Sequence, residues 1–264
     1  MPTKRTHQGL WGQVPLEPNQ VLKASFGPLR VWIRRDHTDW FYAFERPGEE
    51  STLFGLDPAK EAPEGLDWNR LGCEKASRHI VLEPALPNRA VVVRPDMPLT
   101  ILPGERIQFF VRVPLWIRLV ATNKAQSMWC DLPTRVLSKT WFGSTELGEQ
   151  AYALRTSAVR SLDDLARDAD RVVCPVRLRN QSADVLLLNR LCLRVQHLGL
   201  YEGVTSLWTN EAGVTYRGGD EWSRVVYGRA EPPFDQAKQK LAGARMPSRG
   251  AFTLKSIASG DFFT

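Results

Sequence analysis

The alternation of apolar and polar residues along the chain predicts a succession of β-strands. Residues 29–34 alternate, residues 39–45 do so more loosely, and the segment 37–39 between them suits a hairpin turn. A period of two places successive side chains on opposite faces of a sheet, as in a half-buried strand. Pro103-Gly104 fits a type II turn before the apolar run at 106–113, because proline presets φ at the first central position and glycine supplies a positive φ at the second.

The second half of the chain continues the strand pattern. Strand-like runs occur at 149–156, 171–180, 185–195, 198–201, 204–209, 213–216 and 225–227. Two short helices are predicted among them, one at 161–167 with Ser161 as its cap and one that begins at Asp235 and ends at Gly243. The pattern therefore predicts an all-β fold of one or two sandwich-like, immunoglobulin-like domains with a few short helices. We place the boundary so that residues 1–136 form an N-terminal domain and residues 137–264 a C-terminal domain.

Composition allows a sizeable core but argues against a membrane span. The chain has 264 residues, of which 43% are hydrophobic, enough to bury one large core or two of medium size. Its longest aliphatic run is Val185-Leu186-Leu187-Leu188, whereas a spanning helix needs about 18 consecutive apolar residues. The basic N-terminus lacks the apolar stretch of a secretory signal. We therefore expect a soluble, cytoplasmic protein with no transmembrane segment.

The charge distribution and the reactive residues argue against nucleic-acid binding, a metal or redox site, and the catalytic motifs of known enzyme classes. The net charge is +6, but the basic residues are spread along the chain, so a nucleic-acid partner is not expected. The cysteines (Cys73, Cys130, Cys174 and Cys192) lack a C-x-x-C spacing, which favours structural thiols over a metal or redox site, and no cofactor is predicted. The histidines are isolated in sequence, and no nucleophile elbow, P-loop or zinc-protease motif occurs. No catalytic residue is therefore assigned, and a hydrolase site assembled from distant residues stays an alternative.

The most distinctive local feature is Trp141-Phe142-Gly143 in the middle of the chain. In one interpretation the two aromatic side chains fill a junction and the glycine permits a positive φ. In the other, Trp141 and Phe142 stack on a ligand such as a sugar, with the carboxylates of Glu146 and Glu149 close by in sequence.

Four arginines form the second candidate site. Arg177 and Arg179 share one face of their predicted strand, and Arg190 and Arg194 share one face of the next. If the two strands pair across the turn at 180–184, the four side chains form a basic ridge suited to phosphate or carboxylate groups. The alternative is a solvated sheet face whose arginines pair with acidic side chains.

Three stretches of the sequence resemble one known family. They are Leu137–Gly143 followed by Gly148-Glu149 and Tyr152, Pro175–Ser182 continuing to Leu188–Leu193, and the turn at 103–105 before a strand that ends at Pro114. Together they resemble the prokaryotic family called domain of unknown function 432, from about residue 25 to the C-terminus. The resemblance implies no activity, catalytic position or metal ligand. Some members are encoded near small mechanosensitive-channel-type membrane proteins, which implies a partner of that type.

The leading hypothesis is a soluble, non-enzymatic binding or regulatory protein of a bacterium or archaeon, with a channel-type membrane protein as its implied partner. The first alternative is a sugar- or anion-binding module that uses Trp141, Phe142 and the arginine ridge. The second alternative is a hydrolase. The sequence does not specify the oligomeric state.

Overall fold

The chain is described by a computed structural model that covers residues 10–48, 51, 53–72, 77–121, 128–146, 148–218, 223–247, 250 and 252–254. The fold divides into two compact units, each assembled from several segments of the chain. Unit 1 comprises residues 1–85, 114–136 and 168–170, and unit 2 comprises residues 86–113, 137–167 and 171–264. The division into separate domains at 1–136 and 137–264 stays a prediction, although one crossing between the units falls between Val136 and Leu137.

Strands make up nearly all the regular structure, which confirms the all-β prediction. In the first half they are β1 (Gly12–Pro15), β2 (Val21–Phe26), β3 (Leu29–Arg35), β4 (Asp39–Glu45), β5 (Phe54–Ala59), β6 (Asn69–Gly72), β7 (His79–Ala85), β8 (Ala90–Pro95), β9 (Leu99–Ile101), β10 (Arg106–Pro114), β11 (Trp116–Ala121) and β12 (Met128–Pro133). In the second half they are β13 (Lys139–Phe142), β14 (Glu149–Thr156), β15 (Arg171–Asn180), β16 (Leu186–Leu188), β17 (Leu191–Leu193), β18 (Leu200–Glu202), β19 (Leu207–Thr209), β20 (Ala212–Tyr216), β21 (Ser223–Tyr227), β22 (Gln239–Ala242) and β23 (Phe252–Leu254).

Unit 1 contains two antiparallel sheets, with strand orders β1-β7-β11-β12 and β5-β2-β3-β4-β6. Alternate apolar side chains on these strands supply its core, and Phe26, Ile33, Leu82 and Ile117 are fully buried. The predicted hairpin between β3 and β4 is confirmed, because the two strands pair in antiparallel register around the turn. The carboxylate of Asp36 closes that turn by accepting hydrogen bonds from the backbone.

Unit 2 contains the sheet order β22-β18-β19-β15-β20-β21-β23, with β10 also paired to β15. Two smaller sheets accompany it, β13-β14-β8-β17 and the ribbon β16-β9. The predicted turn before β10 is confirmed, since Glu105 N donates to Leu102 O at 3.2 Å and Gly104 has φ of 79°. An aromatic cluster of Phe110, Trp208 and Phe234 lies in its core.

The two predicted helices are wrong. Residues 161–164 form bends and a turn, residues 165–167 have no regular structure, and Gln239–Ala242 is strand β22, paired with β18. Instead of capping a helix, Asp235 has φ of 52°, and its Oδ2 accepts from Thr205 N, Ser206 N and Trp208 Nε1 at 2.9–3.0 Å. The cap signal is local in sequence, whereas these donors are distant. Among the described residues the helical structure is a single 3₁₀ turn at Val195–His197, and no helix there is long and apolar enough to cross a membrane.

Candidate functional site

The β13–β14 hairpin separates the two aromatic residues of the central motif. Phe142 lies opposite Glu149 and Trp141 lies opposite Gln150 in the antiparallel register. Because successive side chains point to opposite faces, Phe142 and Glu149 share one face of the hairpin and Trp141 and Gln150 share the other. Phe142 is buried and Trp141 is 48% exposed. The structure therefore does not bring Trp141 and Phe142 into one site.

Trp141 packs onto the loop of its own hairpin. Its Nε1 donates to the Ser144 carbonyl oxygen at 2.9 Å, and Gly148 N donates to the same oxygen at 2.8 Å. A Cβ at position 148 would overlap the indole and that carbonyl oxygen, so only glycine fits there. Gly143 has φ of 105°, which favours glycine as well. The tryptophan and the two glycines thus form a packing arrangement that shapes the loop.

The opposite face of the hairpin meets two arginines. Arg190 and Arg194 flank β17, a short strand that pairs antiparallel with β8. The guanidinium of Arg190 lies over the Phe142 ring, 5.9 Å from its centroid. Arg194 Nη2 lies 2.7 Å from Glu149 Oε1, and the Cys192 thiol donates to the same oxygen at 3.8 Å. We call Phe142, Glu149, Arg190, Cys192 and Arg194 the arginine cluster.

Part of the hydrogen-bonding capacity of the arginine cluster is unused. Arg190 Nε and Arg194 Nη1 are buried, and neither has a hydrogen-bond partner among the described residues. A buried donor without an acceptor costs free energy, and the Nε atoms of Arg35 and Arg46 are in the same state. Burial, with Glu149 nearby, raises the pKa of the Cys192 thiol and keeps it neutral. Two guanidinium groups against one carboxylate leave the cluster with a positive charge.

Aromatic residues fix Arg194 from its other side. Its guanidinium lies 5.3 Å from the centroid of Phe252, and its backbone N–H donates to the Tyr227 hydroxyl at 2.6 Å. Phe252 and Tyr227 also contact the ring of His197, whose Nδ1 lies 2.8 Å from the Met246 carbonyl oxygen. His197 is thus engaged by backbone and rings, as expected of a structural histidine. These contacts hold Arg194 in one orientation beside Glu149.

The predicted arginine ridge does not form. The turn at 180–184 is present, but β16 then pairs with β9 and β17 with β8, whereas β15 pairs with β10, β19 and β20. Arg177 on β15 forms an ion pair with Glu211 at 2.8 Å, and Arg179 is exposed on the same strand. Of the six predicted site residues, the structure therefore assembles Phe142, Arg190 and Arg194.

Sequence reasoning missed Cys192 and Phe252 as neighbours of these arginines. The alternation across β17 places Cys192 between the two arginines, and this signal was available in the sequence. Phe252 gave no such signal, because it reaches Arg194 through the pairing of β23 with β21, far along the chain. Glu149 was noted only as a nearby carboxylate, and the hairpin register is what places it opposite Phe142.

The described cysteines have the character of structural thiols. Cys130, Cys174 and Cys192 are free and buried, and burial raises the pKa of Cys130 and of Cys174 to about 12. Such thiols are protonated at neutral pH and are therefore poor nucleophiles. Cys73 lies outside the described residues. Within the described part of the chain, no group of three or more His, Cys, Asp or Glu residues is placed to hold a metal ion.

Comparison with known families agrees with the resemblance seen in the sequence. The model of the family described as "Protein of unknown function (DUF432)" matches residues 10–258. Comparisons with curated proteins and with solved structures give no match. Because the match spans nearly the whole chain, including all of the arginine cluster, the chain belongs to the DUF432 family of proteins of unknown function.

Proposed function

We propose that this chain is a non-catalytic binding protein that recognises an anionic group through Arg190 and Arg194. The observation that carries the proposal is the pair of buried donors, Arg190 Nε and Arg194 Nη1, that lack acceptors beside a net positive charge. An oxyanion supplies those acceptors, and guanidinium groups bind carboxylate and phosphate through short, charge-assisted hydrogen bonds.

The arginine cluster is also held in place before a ligand arrives. Phe142 supports the face of Arg190, and Phe252 and the Tyr227 hydroxyl fix Arg194. A rigid site loses less side-chain entropy on binding, so more of the interaction energy contributes to affinity. This arrangement favours Arg190 and Arg194 over Arg177, whose charge Glu211 already neutralises.

Thermal unfolding in the presence of inorganic phosphate or sulfate tests the proposal, with ionic strength held constant by chloride. A ligand at about a hundred times its Kd adds about 2.7 kcal/mol to the free energy of unfolding, which raises the Tm measurably. Arg190→Gln is expected to abolish this rise. Arg179→Gln removes an equal charge from the exposed face of β15 and is expected to keep it. Equal responses of the two variants, or no response of the unaltered chain, contradict the proposal.

A second proposed function is docking to a partner protein through the outer face of the β13–β14 hairpin. Trp141 is half-exposed there, next to Gln150, whose Oε1 accepts from Arg89 Nη1 at 2.5 Å. Tryptophan and arginine are enriched at the centres of protein interfaces. The partner class implied by the family resemblance is a small channel-type membrane protein. Co-expression with such a protein tests this, and Trp141→Phe should weaken co-purification while Leu162→Ala, at another exposed apolar position, should not.

We propose that unit 1 is a sandwich-like pair of sheets, supported by the contact of Tyr42 on β4 with Trp129 on β12 at 4.7 Å between ring centroids. We also propose that the protein works in the cytoplasm of a prokaryote, in keeping with the family resemblance. Detection of a tagged chain after cell fractionation tests the location.

A further inference from the structure

We infer that the arginine cluster takes a doubly charged phosphate monoester of a small soluble molecule, and that Glu149 occupies part of the place of this ligand while the site is empty. The inference rests on the proposed function and specifies its ligand class. Three features of the cluster support it, namely its charge, the contact of both arginines with one residue pair of the hairpin, and the different exposure of Glu149 and Arg194.

The charge of the cluster depends on Glu149. With the carboxylate paired to Arg194, the two arginines carry one uncompensated positive charge, and Arg190 has no carboxylate partner among the described residues. When Glu149 turns away, two positive charges face the site. A phosphate monoester carries between about 1.5 and 2 negative charges at neutral pH, so it balances the arginines once Glu149 has left.

The guanidinium groups of Arg190 and Arg194 contact the two members of one residue pair in the β13–β14 hairpin. Arg190 lies against Phe142 and Arg194 against Glu149, and Phe142 and Glu149 are directly opposite each other in the hairpin. Directly opposed residues of an antiparallel pair have Cβ atoms about 4.5–5.5 Å apart, so the two guanidinium groups contact one cross-strand pair of the hairpin. A tetrahedral oxyanion presents three oxygens in different directions and can accept from both groups at once.

Glu149 is the member of the ion pair that can leave. Its side chain is 33% exposed, whereas that of Arg194 is 19% exposed and is fixed by Phe252 and by the Tyr227 hydroxyl. A partly exposed carboxylate recovers hydration when it turns to water, and the exchange replaces one charge-assisted hydrogen bond by another. The Glu149 carboxylate thus competes with the ligand for Arg194 Nη2. It also repels the negatively charged ligand until the ligand displaces it.

Titration calorimetry with methyl phosphate tests the inference in the full-length chain. Glu149→Gln removes the competing charge, and its amide oxygen still accepts from Arg194, so we expect about tenfold tighter binding of methyl phosphate. Acetate, which carries a single charge, should gain much less. Glu146→Gln removes the same charge from the same hairpin without touching the arginines and should leave both affinities unchanged.

A second measurement needs no variant. Binding of methyl phosphate to the unaltered chain should weaken as the pH falls through the second ionisation of the ligand, near pH 6, whereas sulfate binding should stay constant there. Three results overturn the inference and leave the proposed anion site standing. They are acetate binding as tight as or tighter than that of methyl phosphate, an affinity for methyl phosphate that Glu149→Gln leaves unchanged in a folded variant, and a flat pH profile for methyl phosphate. Failure of phosphate, sulfate and acetate alike to bind overturns both. Binding to vesicles that contain phosphatidate, without binding of methyl phosphate, overturns the assignment to a soluble ligand.

Discussion

Arg194 Nη2 lies 2.7 Å from Glu149 Oε1, although β8 separates β14, which begins at Glu149, from β17, which Arg194 directly follows. Strands two places apart in a sheet are roughly 10 Å from each other, so the long arginine side chain reaches across β8 to the carboxylate. The ion pair connects the β13–β14 hairpin to β17 and places Arg194 beside the residue that faces Phe142. The most distinctive segment of the sequence is thereby tied to the arginines that we assign to binding.

Removal of this carboxylate is expected to destabilise the fold. Glu149→Ala leaves the largely buried guanidinium of Arg194 without its acceptor, and loss of a hydrogen bond to a charged group costs about 1.5–3 kcal/mol. The midpoint of urea unfolding measures the change. Glu146→Ala, on the exposed part of the same hairpin, should stay within about 0.5 kcal/mol of the unaltered chain. Equal midpoints for the two variants would show that the ion pair contributes nothing to stability.

A methyl group at position 148 is expected to distort the β13–β14 hairpin. The added Cβ of Gly148→Ala meets the Trp141 indole and the Ser144 carbonyl oxygen, so we expect a loss of about 1–3 kcal/mol, as for overpacked sites. Urea unfolding followed by tryptophan fluorescence measures it. Gly243→Ala adds the same group where no atom lies within 4 Å and should change little. Combination with Trp141→Ala should recover only part of the loss, because the carbonyl oxygen remains in the way.

Loss of the Asp235 carboxylate is expected to disrupt the loop that precedes β19. One oxygen, Oδ2, accepts from Thr205 N and Oγ1, Ser206 N and Trp208 Nε1. Asp235→Ala leaves these donors without their acceptor and places alanine at a positive φ, so we expect a loss of at least about 3 kcal/mol.

Asp235→Asn separates the two contributions to this loss. Asparagine tolerates the backbone conformation and keeps one acceptor oxygen, so the loss should be about half as large. Asp164→Asn, at an exposed turn, serves as the neutral control. Thermal unfolding should give the lowest Tm for Asp235→Ala, an intermediate Tm for Asp235→Asn and an unchanged Tm for Asp164→Asn. An Asp235→Ala protein as stable as the unaltered chain would show that the hydrogen bonds of Asp235 do not determine the structure there.

The buried thiols predict both low reactivity and sensitivity to alkali. Burial raises the pKa of Cys130 and of Cys174 to about 12, above the usual value of about 8.5 that applies in the unfolded chain. A raised pKa means that the folded state holds the thiol proton more tightly than the unfolded chain does. The contribution of the two protonated thiols to the free energy of unfolding is therefore complete below about pH 8.5 and is lost as the pH rises towards 12.

Two measurements check this account of the thiols. A thiol reagent at pH 7.5 should leave Cys130, Cys174 and Cys192 unmodified in the folded chain and modify all three in urea. The urea concentration at the unfolding midpoint should decrease as the pH is raised from about 8.5 to 11. Replacement of Cys130 and Cys174 by alanine should make that decrease smaller. Rapid modification of any of the three thiols in the folded chain would contradict their burial.

Local patterns in the sequence predicted the elements whose determinants are local. Alternation identified β3 and β4, and Pro103-Gly104 fixed the turn before β10, because both depend on neighbouring residues. The helix at 235–243 failed because the apparent cap residue, Asp235, forms hydrogen bonds with residues some thirty positions earlier. A local signal for a helix start was overruled by contacts that no local pattern contains.

The candidate site shows the same limit. The sequence indicated that Arg190 and Arg194 share a face, but it offered β15 as the partner strand, whereas β17 pairs with β8. Alternation specifies which side chains share a face and leaves open which strands become neighbours, and the parallel pairing of β14 with β8 joins segments far apart in sequence. Phe142 and Glu149 could be paired from the hairpin alone, and the arginines could not.

The most direct test of the central claim is a crystal structure with selenate, a tetrahedral dianion whose position is given by anomalous scattering. The account predicts a selenium peak beside Phe142, with selenate oxygens about 2.7–2.9 Å from Arg190 Nε and Arg194 Nη1 and with Glu149 turned away from Arg194. A well-ordered arginine cluster with no peak, or a peak that lies only at Arg177 or Arg179, would contradict it.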